Sequence, residues 1–151
     1  MSDWYFAYGS NLWIDQMVRR TGPVGQGEDQ PRVVRLAGYR LTFNMLAENG
    51  YVYANIERAG TGVIGVIYRC GPETLNRLDD FEAGYDRLKL TVVDDLGRSI
   101  EATAYIAKPE RIAADGKPSD EYLKRILRGA REHGLPDDYI NSIMAIASGD
   151  R

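Results

Sequence analysis

Residues 5–12 have the sequence Tyr-Phe-Ala-Tyr-Gly-Ser-Asn-Leu, and this stretch organises the rest of the chain. The aromatic and apolar residues 4–8 predict a β-strand in the interior of a sheet. Gly9 ends the strand, and the helix-capping types Ser10 and Asn11 predict that a helix follows. A strand that passes through glycine into a helix leaves unpaired backbone N–H groups, which bind carboxylates, phosphates or an oxyanion. An ordinary strand-to-helix turn has the same features, so this stretch alone leaves both interpretations open.

The composition limits the class of protein. With 151 residues, 44% of them hydrophobic, we expect one domain, residues 1–151. The net charge of −3 argues against nucleic acid or a membrane surface as a partner. No apolar run approaches the roughly 20 residues of a membrane span, and no signal region is evident. A single cysteine, Cys70, cannot form an internal disulfide, so the expected location is the cytoplasm.

Further strands are predicted downstream of the first helix. Residues 51–56 and 63–68 are expected to pair as a hairpin across 60–62, and Gly65 indicates close backbone packing or a bulge. The other apolar segments are residues 33–36, 39–43, 88–93 and 100–106, of which the last two form a pair across 94–97. Strands that are mostly adjacent in sequence favour an antiparallel or mixed sheet that curls toward a barrel.

One acidic residue lies where an apolar residue is expected. A helix is predicted from Pro72 to about Glu82. At about 100° per residue, Glu82 falls between Leu75 and Leu78 on the apolar face, in the last turn. Burial and the helix C-terminus should both raise its pKa, as a general base near neutral pH requires. A glutamate frayed into solvent, or one paired with Arg87, would fit the same pattern.

Two amphipathic helices are predicted to pack on the barrel, residues 119–133 and 136–147. The apolar face of the second is formed by Ile140, Ile143, Met144 and Ala147.

Other chemistries have weaker support in the sequence. Cys70 and His133 could form a nucleophile–base pair, but Cys70 ends an apolar strand and His133 lies in a final helical turn that favours a solvated cation. One cysteine and one histidine do not make a zinc site, and no phosphate-binding glycine motif is present. We therefore expect catalysis, if any, without cofactor or metal.

The quoted residues resemble those of the gamma-glutamylcyclotransferase family, which is related to the wider AIG2-like proteins. Residues 5–12 resemble its N-terminal signature, and residues 75–82 its helix with the catalytic glutamate. Residues 119–122 and 129–139 are similar to its C-terminal helices, so the resemblance covers nearly the whole chain. The glycine that usually follows the glutamate comes one residue later here, after Ala83, which changes the rim of the substrate pocket.

The resemblance implies an α+β fold, a small mixed, mostly antiparallel β-barrel flanked by helices. It also implies a reaction, in which a γ-glutamyl amide cyclises to 5-oxoproline and releases an amine, and it gives Glu82 the role of general acid and base. The backbone N–H groups of residues 9–11 would hold the α-carboxylate or the oxyanion. The expected substrate-binding residues are Tyr5, Tyr8, Gly9, Ser10, Asn11, Leu12, Tyr85, Tyr105 and Tyr122.

Three functions stay open at this level. The first is a cyclotransferase acting on a small γ-glutamyl amino acid or amine, which an acid on a buried stripe favours. The second is a non-catalytic AIG2-like binding or regulatory module. The third is a cyclotransferase specialised on a carrier-bound γ-glutamyl intermediate. A homodimer is compatible with the sequence, and core packing alone would explain each tyrosine.

Overall fold

The computed structural model describes residues 3–149. No helix within this range is long and apolar enough to span a membrane. The strands are β1 (Asp3–Ala7), β2 (Arg32–Leu36), β3 (Tyr39–Leu46), β4 (Val52–Arg58), β5 (Val63–Cys70), β6 (Tyr85–Asp94) and β7 (Ser99–Ala107). The helices are α1 (Ile14–Thr21), α2 (Pro72–Asp79), α3 (Asp120–Glu132) and α4 (Asp137–Ser148), and a short 3₁₀ helix, Ser10–Leu12, precedes α1.

Five strands close into a barrel in the order β1-β5-β2-β6-β7. Neighbours in the barrel are antiparallel except β7 and β1, which run parallel where Tyr5 faces Thr103. The predicted mixed, mostly antiparallel barrel with flanking helices is therefore confirmed. Strand β5 is buried at every position except Arg69, because it is covered by β1 and β2 at its edges and by packing on its faces.

The predicted hairpin between β4 and β5 is wrong. Strand β4 pairs with β3 in a separate two-stranded sheet, whereas β5 pairs with β1 and β2. The almost continuously apolar β5 belongs in the barrel, and the partly exposed β4 suits an outer sheet. Gly65 packs closely, as predicted, because a Cβ there would lie 2.2 Å from the Ala7 carbonyl oxygen and 2.8 Å from the Phe6 ring.

Polar contacts fix the two-stranded sheet against the barrel. The side-chain oxygen of Asn55 in β4 accepts a hydrogen bond from the Ala107 N–H in β7, at 2.9 Å. The Tyr85 hydroxyl at the start of β6 donates to the Ala54 carbonyl oxygen, at 2.6 Å. Strand β4 is thus held against the barrel at the point where the cavity described below opens.

Helix α2 ends three residues earlier than predicted. The chain tightens into 3₁₀-type turns in which Phe81 N–H donates to Leu78 and Glu82 N–H donates to Asp79. Gly84, with a φ of +94°, then turns the chain into β6. Glu82 therefore lies outside the helix, and its placement by helical angle between Leu75 and Leu78 is wrong.

The C-terminal helices pack on the body as predicted, with one exception. Ser119 caps α3 by accepting a hydrogen bond from the Tyr122 N–H. In α4 the side chains of Ile140, Ile143 and Ala147 are buried, whereas Met144 is 36% exposed and does not belong to the apolar face.

Helix α3 touches the backbone of the 3₁₀ helix directly. A Cβ at Gly129 would lie 2.3 Å from the Leu12 carbonyl carbon and 2.3 Å from the Trp13 nitrogen, so only glycine permits this approach. The position of the loop after β1 is therefore set by α3, which is more than a hundred residues away in sequence.

Candidate active site

A cavity of about 350 Å³ opens where the loop after β1 meets β4, α3 and the segment before β6. Its volume suits a small molecule. It is lined by Tyr5, Tyr8, Gly9, Ser10, Asn11, Arg20, Met45, Ala47, Tyr53, Ala54, Phe81, Glu82, Ala83, Tyr85, Tyr105, Tyr122 and Arg125.

Glu82 is the acid that lines this cavity. Burial raises the pKa of its carboxyl to about 8. The positive charge of Arg20 lowers this pKa by a smaller amount, and the negative charge of Asp79 raises it further. Among residues 3–149 its carboxylate makes no hydrogen bond and no ion pair. The alternative pairing with Arg87 is wrong, because Arg87 binds Asp79 through two hydrogen bonds. Glu82 is therefore a half-buried carboxyl group that a ligand can reach.

The backbone of residues 9–11 faces the same cavity. Ser10 and Asn11 do not cap α1, whose N-cap is Trp13, but form the buried 3₁₀ helix. Within the described part of the chain, the N–H groups of Gly9, Ser10 and Asn11 have no backbone or side-chain acceptor. They are available to an anionic ligand.

A side chain at Gly9 would be crowded by its neighbours, although the backbone there is not unusual. Its φ is −113°, outside the left-handed region. A Cβ at this position would meet the Tyr122 hydroxyl at 3.2 Å and the Ala54 Cβ at 3.4 Å. Any side chain here would press on the cavity wall.

A buried amide holds the loop in place. Gln16, which is 3% exposed, donates through Nε2 to Ser10 Oγ at 2.7 Å and to Asn11 Oδ1 at 3.0 Å. Asn11 in turn donates through Nδ2 to the Tyr5 hydroxyl at 3.0 Å. The side chains of Ser10 and Asn11 thus bind the protein, while their N–H groups have no acceptor within residues 3–149.

The tyrosines of the cavity differ in what their hydroxyls can offer. Burial raises the pKa of Tyr5, Tyr8, Tyr85 and Tyr122, so all four phenols are neutral. Tyr8 and Tyr85 donate to the carbonyl oxygens of Tyr105 and Ala54. The hydroxyls of Tyr5 and Tyr122 instead accept, and neither donates a hydrogen bond within residues 3–149. These two can donate to a ligand.

Tyr105 lines the cavity and also bonds to Asp79, which does not line it. Its hydroxyl donates to Asp79 Oδ1 at 2.6 Å, and burial together with Asp79 raises its pKa. A second cavity of about 230 Å³ adjoins the first and shares Glu82, Tyr85 and Tyr105 with it.

Leu12 does not line the cavity. It is fully buried, and its carbonyl oxygen lies 3.1 Å from the Tyr68 hydroxyl and 2.8 Å from His133 Nε2. Its place in the structure is that of a core residue behind the loop.

Two arginines of the cavity, Arg20 and Arg125, were not predicted from the sequence. Arg20 lies at the end of α1 and Arg125 in the middle of α3, and neither belongs to a recognisable motif. Gln16 was missed for the same reason, since a polar residue on a short helix gives no local sign of burial.

The Cys70–His133 alternative has no support in the structure. Burial raises the pKa of the Cys70 thiol to about 12, so the thiolate is scarce at neutral pH. Burial also lowers the pKa of His133, which is bonded to the Leu12 carbonyl oxygen and is not the solvated cation that we predicted.

The fold is that of an AIG2-like protein, and the AIG2-like family model matches residues 62–143. Gamma-glutamylcyclotransferase of Homo sapiens is 29% identical over 156 residues, covering 97% of this chain and 79% of the relative. The Bos taurus enzyme of the same name is 30% identical over 158 residues, with 97% and 79% coverage. A solved structure called gamma-glutamyl cyclotransferase has a TM-score of 0.85 at 29% identity, covering 97% of this chain and 88% of that one. This chain belongs to the gamma-glutamylcyclotransferase family, as predicted.

Proposed function

We propose that this chain is a cyclotransferase that converts a small γ-glutamyl amide, a γ-glutamyl amino acid or amine, to 5-oxoproline and a free amine, with Glu82 as general acid and base. The observation that carries the proposal is the Glu82 carboxyl group, which has a pKa raised to about 8 and lines the cavity without a partner among residues 3–149. The family name of the relatives supports the reaction.

The first step is deprotonation of the substrate. The α-amine of the γ-glutamyl group is the nucleophile, so the protein need not supply one. It arrives as an ammonium ion, and ionised Glu82 takes one of its protons. A carboxyl group with a pKa near that of an amine transfers this proton at little cost in free energy.

Ring closure follows within the bound substrate. The amine forms a bond to the γ-carbonyl carbon, and the carbonyl oxygen takes up the negative charge. The unpaired N–H groups of residues 9–11, with the Tyr5 and Tyr122 hydroxyls, are suited to stabilise this oxyanion or the α-carboxylate. Holding the substrate bent contributes through orientation, because the reacting atoms are in one molecule.

The last step releases the amine. The tetrahedral intermediate collapses, the bond from carbon to the departing nitrogen breaks, and protonated Glu82 gives its proton to that nitrogen. The ring nitrogen still carries one proton more than the lactam needs, and it loses this proton to solvent as the carbonyl group re-forms. One carboxyl group thus takes a proton and returns it, so Glu82 ends in the state in which it began.

The experiment is a screen for 5-oxoproline release from γ-glutamyl amino acids, γ-glutamyl amines and glutathione. We expect release from at least one class, and loss of release in Glu82→Gln. A protein that binds 5-oxoproline but releases none from any of these substrates would be a binding module, and the proposal would be withdrawn.

A further inference from the structure

Glu82 lines two cavities, and the second of them opens to solvent. The second cavity, of about 230 Å³, shares Glu82, Tyr85 and Tyr105 with the first, and its other lining residues are Asp79, Asp86 and Arg87. These three side chains are 45, 64 and 38% exposed. A polar cavity needs roughly 10–15 Å³ to hold one water molecule, so this one has room for several. Water can therefore reach Glu82 from this side when a ligand fills the first cavity.

Hydrogen bonds fix the wall of the second cavity. The Tyr105 hydroxyl donates to Asp79 Oδ1 at 2.6 Å, and Arg87 donates to the same carboxylate at 2.9 and 2.6 Å. The Tyr85 hydroxyl donates to the Ala54 carbonyl oxygen at 2.6 Å. Among residues 3–149 the Glu82 carboxyl group makes neither a hydrogen bond nor an ion pair. It is therefore the group on this wall that is free to exchange a proton with water.

The charged residues of the two cavities differ in sign. Apart from Glu82, they are Arg20 and Arg125 in the first cavity and Asp79, Asp86 and Arg87 in the second. One guanidinium of each cavity has an acidic partner, since Arg125 pairs with Glu121 at 2.6 Å and Arg87 pairs with Asp79 at 2.6 Å. The charges that remain are those of Arg20 in the first cavity and Asp86 in the second.

Arg20 and Asp86 give the two sides of Glu82 opposite electrostatic potentials. Arg20 makes no ion pair among residues 3–149, and its charge lowers the pKa of Glu82. Asp86 Oδ1 lies 3.7 Å from Lys108 Nζ, and solvent screens this pair because both side chains are exposed. A positive charge that leaves Glu82 is therefore repelled on the first side and attracted on the second.

The other titratable groups around Glu82 are tyrosines that keep their protons. They line the first cavity from four elements, as Tyr5 and Tyr8 of β1, Tyr85 of β6, Tyr105 of β7 and Tyr122 of α3. Burial raises the pKa of each, so all are neutral at neutral pH. They do not change the sign of the charge on either side of Glu82.

The proposed reaction has protons to dispose of at Glu82. Because its pKa is raised to about 8, Glu82 holds a proton in most molecules at neutral pH and must lose it before it acts as a base. The ring nitrogen must also lose a second proton as the lactam forms. The substrate covers the first side of Glu82 during both events.

We propose that the second cavity is the proton route of the active site, in which water carries protons from Glu82 past Asp86 to solvent while the substrate fills the first cavity. This inference rests on the proposed function and adds the step that resets its base. After protonating the leaving nitrogen, ionised Glu82 accepts the excess proton of the ring nitrogen and gives it to a water molecule, which leaves as a hydronium ion. Asp86 does not touch the substrate and is a positioning residue that acts through its charge.

The first test blocks the second cavity from outside. Asp86→Trp places a large side chain at its opening, on a strand that suits an aromatic residue. With the γ-glutamyl compound that releases 5-oxoproline fastest in the screen above, we expect kcat to fall by about tenfold or more. The solvent deuterium isotope effect should increase because proton transfer becomes rate-limiting, while the Kd of 5-oxoproline stays within about twofold.

Two further variants separate bulk, charge and position. Thr91→Trp, at an exposed position of β6 that lines neither cavity, should keep both kcat and the isotope effect of the unaltered protein. Asp86→Lys leaves the opening free but reverses its charge. It should lower kcat by less than Asp86→Trp does, and high salt should relieve this loss because it screens the introduced cation.

A direct measurement on the unaltered protein needs no variant at the opening. The complex with saturating 5-oxoproline is mixed from about pH 6 to about pH 9, on either side of the Glu82 pKa of about 8, in weak buffer with a pH indicator. The proton of Glu82 is the part of the signal that Glu82→Gln lacks. We expect this proton to appear faster than 5-oxoproline dissociates, and in Asp86→Trp to appear only at the rate of dissociation.

The outcomes distinguish this inference from the proposed function. Unchanged kcat and isotope effect in Asp86→Trp, or proton release from the unaltered complex no faster than dissociation of 5-oxoproline, would overturn the proton route while 5-oxoproline release still supports the cyclotransferase. A loss in Asp86→Lys that salt does not relieve would overturn the role of the Asp86 charge. Absence of 5-oxoproline release from every compound would remove the proposed function, and this inference with it.

Discussion

The guanidinium of Arg87 forms a two-point ion pair with the Asp79 carboxylate, with Nε–Oδ1 and Nη2–Oδ2 distances of 2.9 and 2.6 Å. These hydrogen bonds lower the pKa of Asp79. Because Arg87 is engaged there, Glu82 has no bonded cation among the described residues, and burial raises the pKa of its carboxyl to about 8. Two nearby carboxyl groups therefore have different states at neutral pH, ionised for Asp79 and largely protonated for Glu82.

Replacing Glu82 by glutamine should abolish turnover while preserving ligand binding. The side chains are nearly isosteric, but the amide cannot accept the ammonium proton. We expect kcat to fall at least about 100-fold, with the Kd of 5-oxoproline within a few-fold of the unaltered protein. Asp80→Asn, a matched change at an exposed acid two residues earlier, should leave both values unchanged. Activity of Glu82→Gln within a few-fold would remove Glu82 from its role.

The same substitution should stabilise the protein in a pH-dependent way. The pKa of Glu82 rises from 4.5 to about 8 on folding, so the folded state resists ionisation. The stability associated with protonated Glu82 is fully present below about pH 4.5 and is lost as the pH rises to about 8. The free energy of unfolding of Glu82→Gln should equal that of the unaltered protein below about pH 4.5 and exceed it by at least about 1 kcal/mol above pH 8. Urea unfolding at several pH values measures this difference, and a gap independent of pH would contradict it.

The acidic limb of the rate profile should report Glu82. Because ionised Glu82 is the base, kcat/KM should fall as the pH drops below about 8. His133→Asn should leave this limb in place, since His133 lies behind Leu12 and outside the cavity. Glu82→Asp should move or abolish it. A limb that shifts with His133 instead would mean that the base is wrongly assigned.

Substitution of Gly9 should damage binding more than stability. In Gly9→Val the side chain meets the Tyr122 hydroxyl and the Ala54 Cβ and crowds the N–H groups of residues 9–11. We expect the Kd of 5-oxoproline to weaken by about tenfold or more. Gly60→Val is the control, because a Cβ at Gly60 meets nothing within 4 Å. Unaltered 5-oxoproline binding by Gly9→Val would show that this loop does not hold the ligand.

Much of the architecture was accessible from the sequence because it depends on local pattern. Alternating and continuous apolar runs mark the strands, and proline, glycine and serine mark the ends of the C-terminal helices. The signature at residues 5–12 and the acid at Glu82 predicted the family, which the comparisons confirm. These features can be recognised in the sequence because each is set by residues a few positions apart.

The pairing of the strands and the bonding partners of the side chains in the cavity were decided by the tertiary structure. No local sequence pattern indicates that β5 lies between β1 and β2 or that β4 pairs with β3. The order of the strands depends on which apolar faces are buried together. The same holds at the cavity, where Arg87 binds Asp79, and where Arg20 is linked through Asn11 to Gln16, which accepts a hydrogen bond from Arg125. The sequence by itself identified Glu82 as the carboxyl group whose pKa should differ from the ordinary value. Only the folded chain decided that its pKa is raised by burial without a bonded cation, because desolvation and ion pairing are properties of neighbours in space.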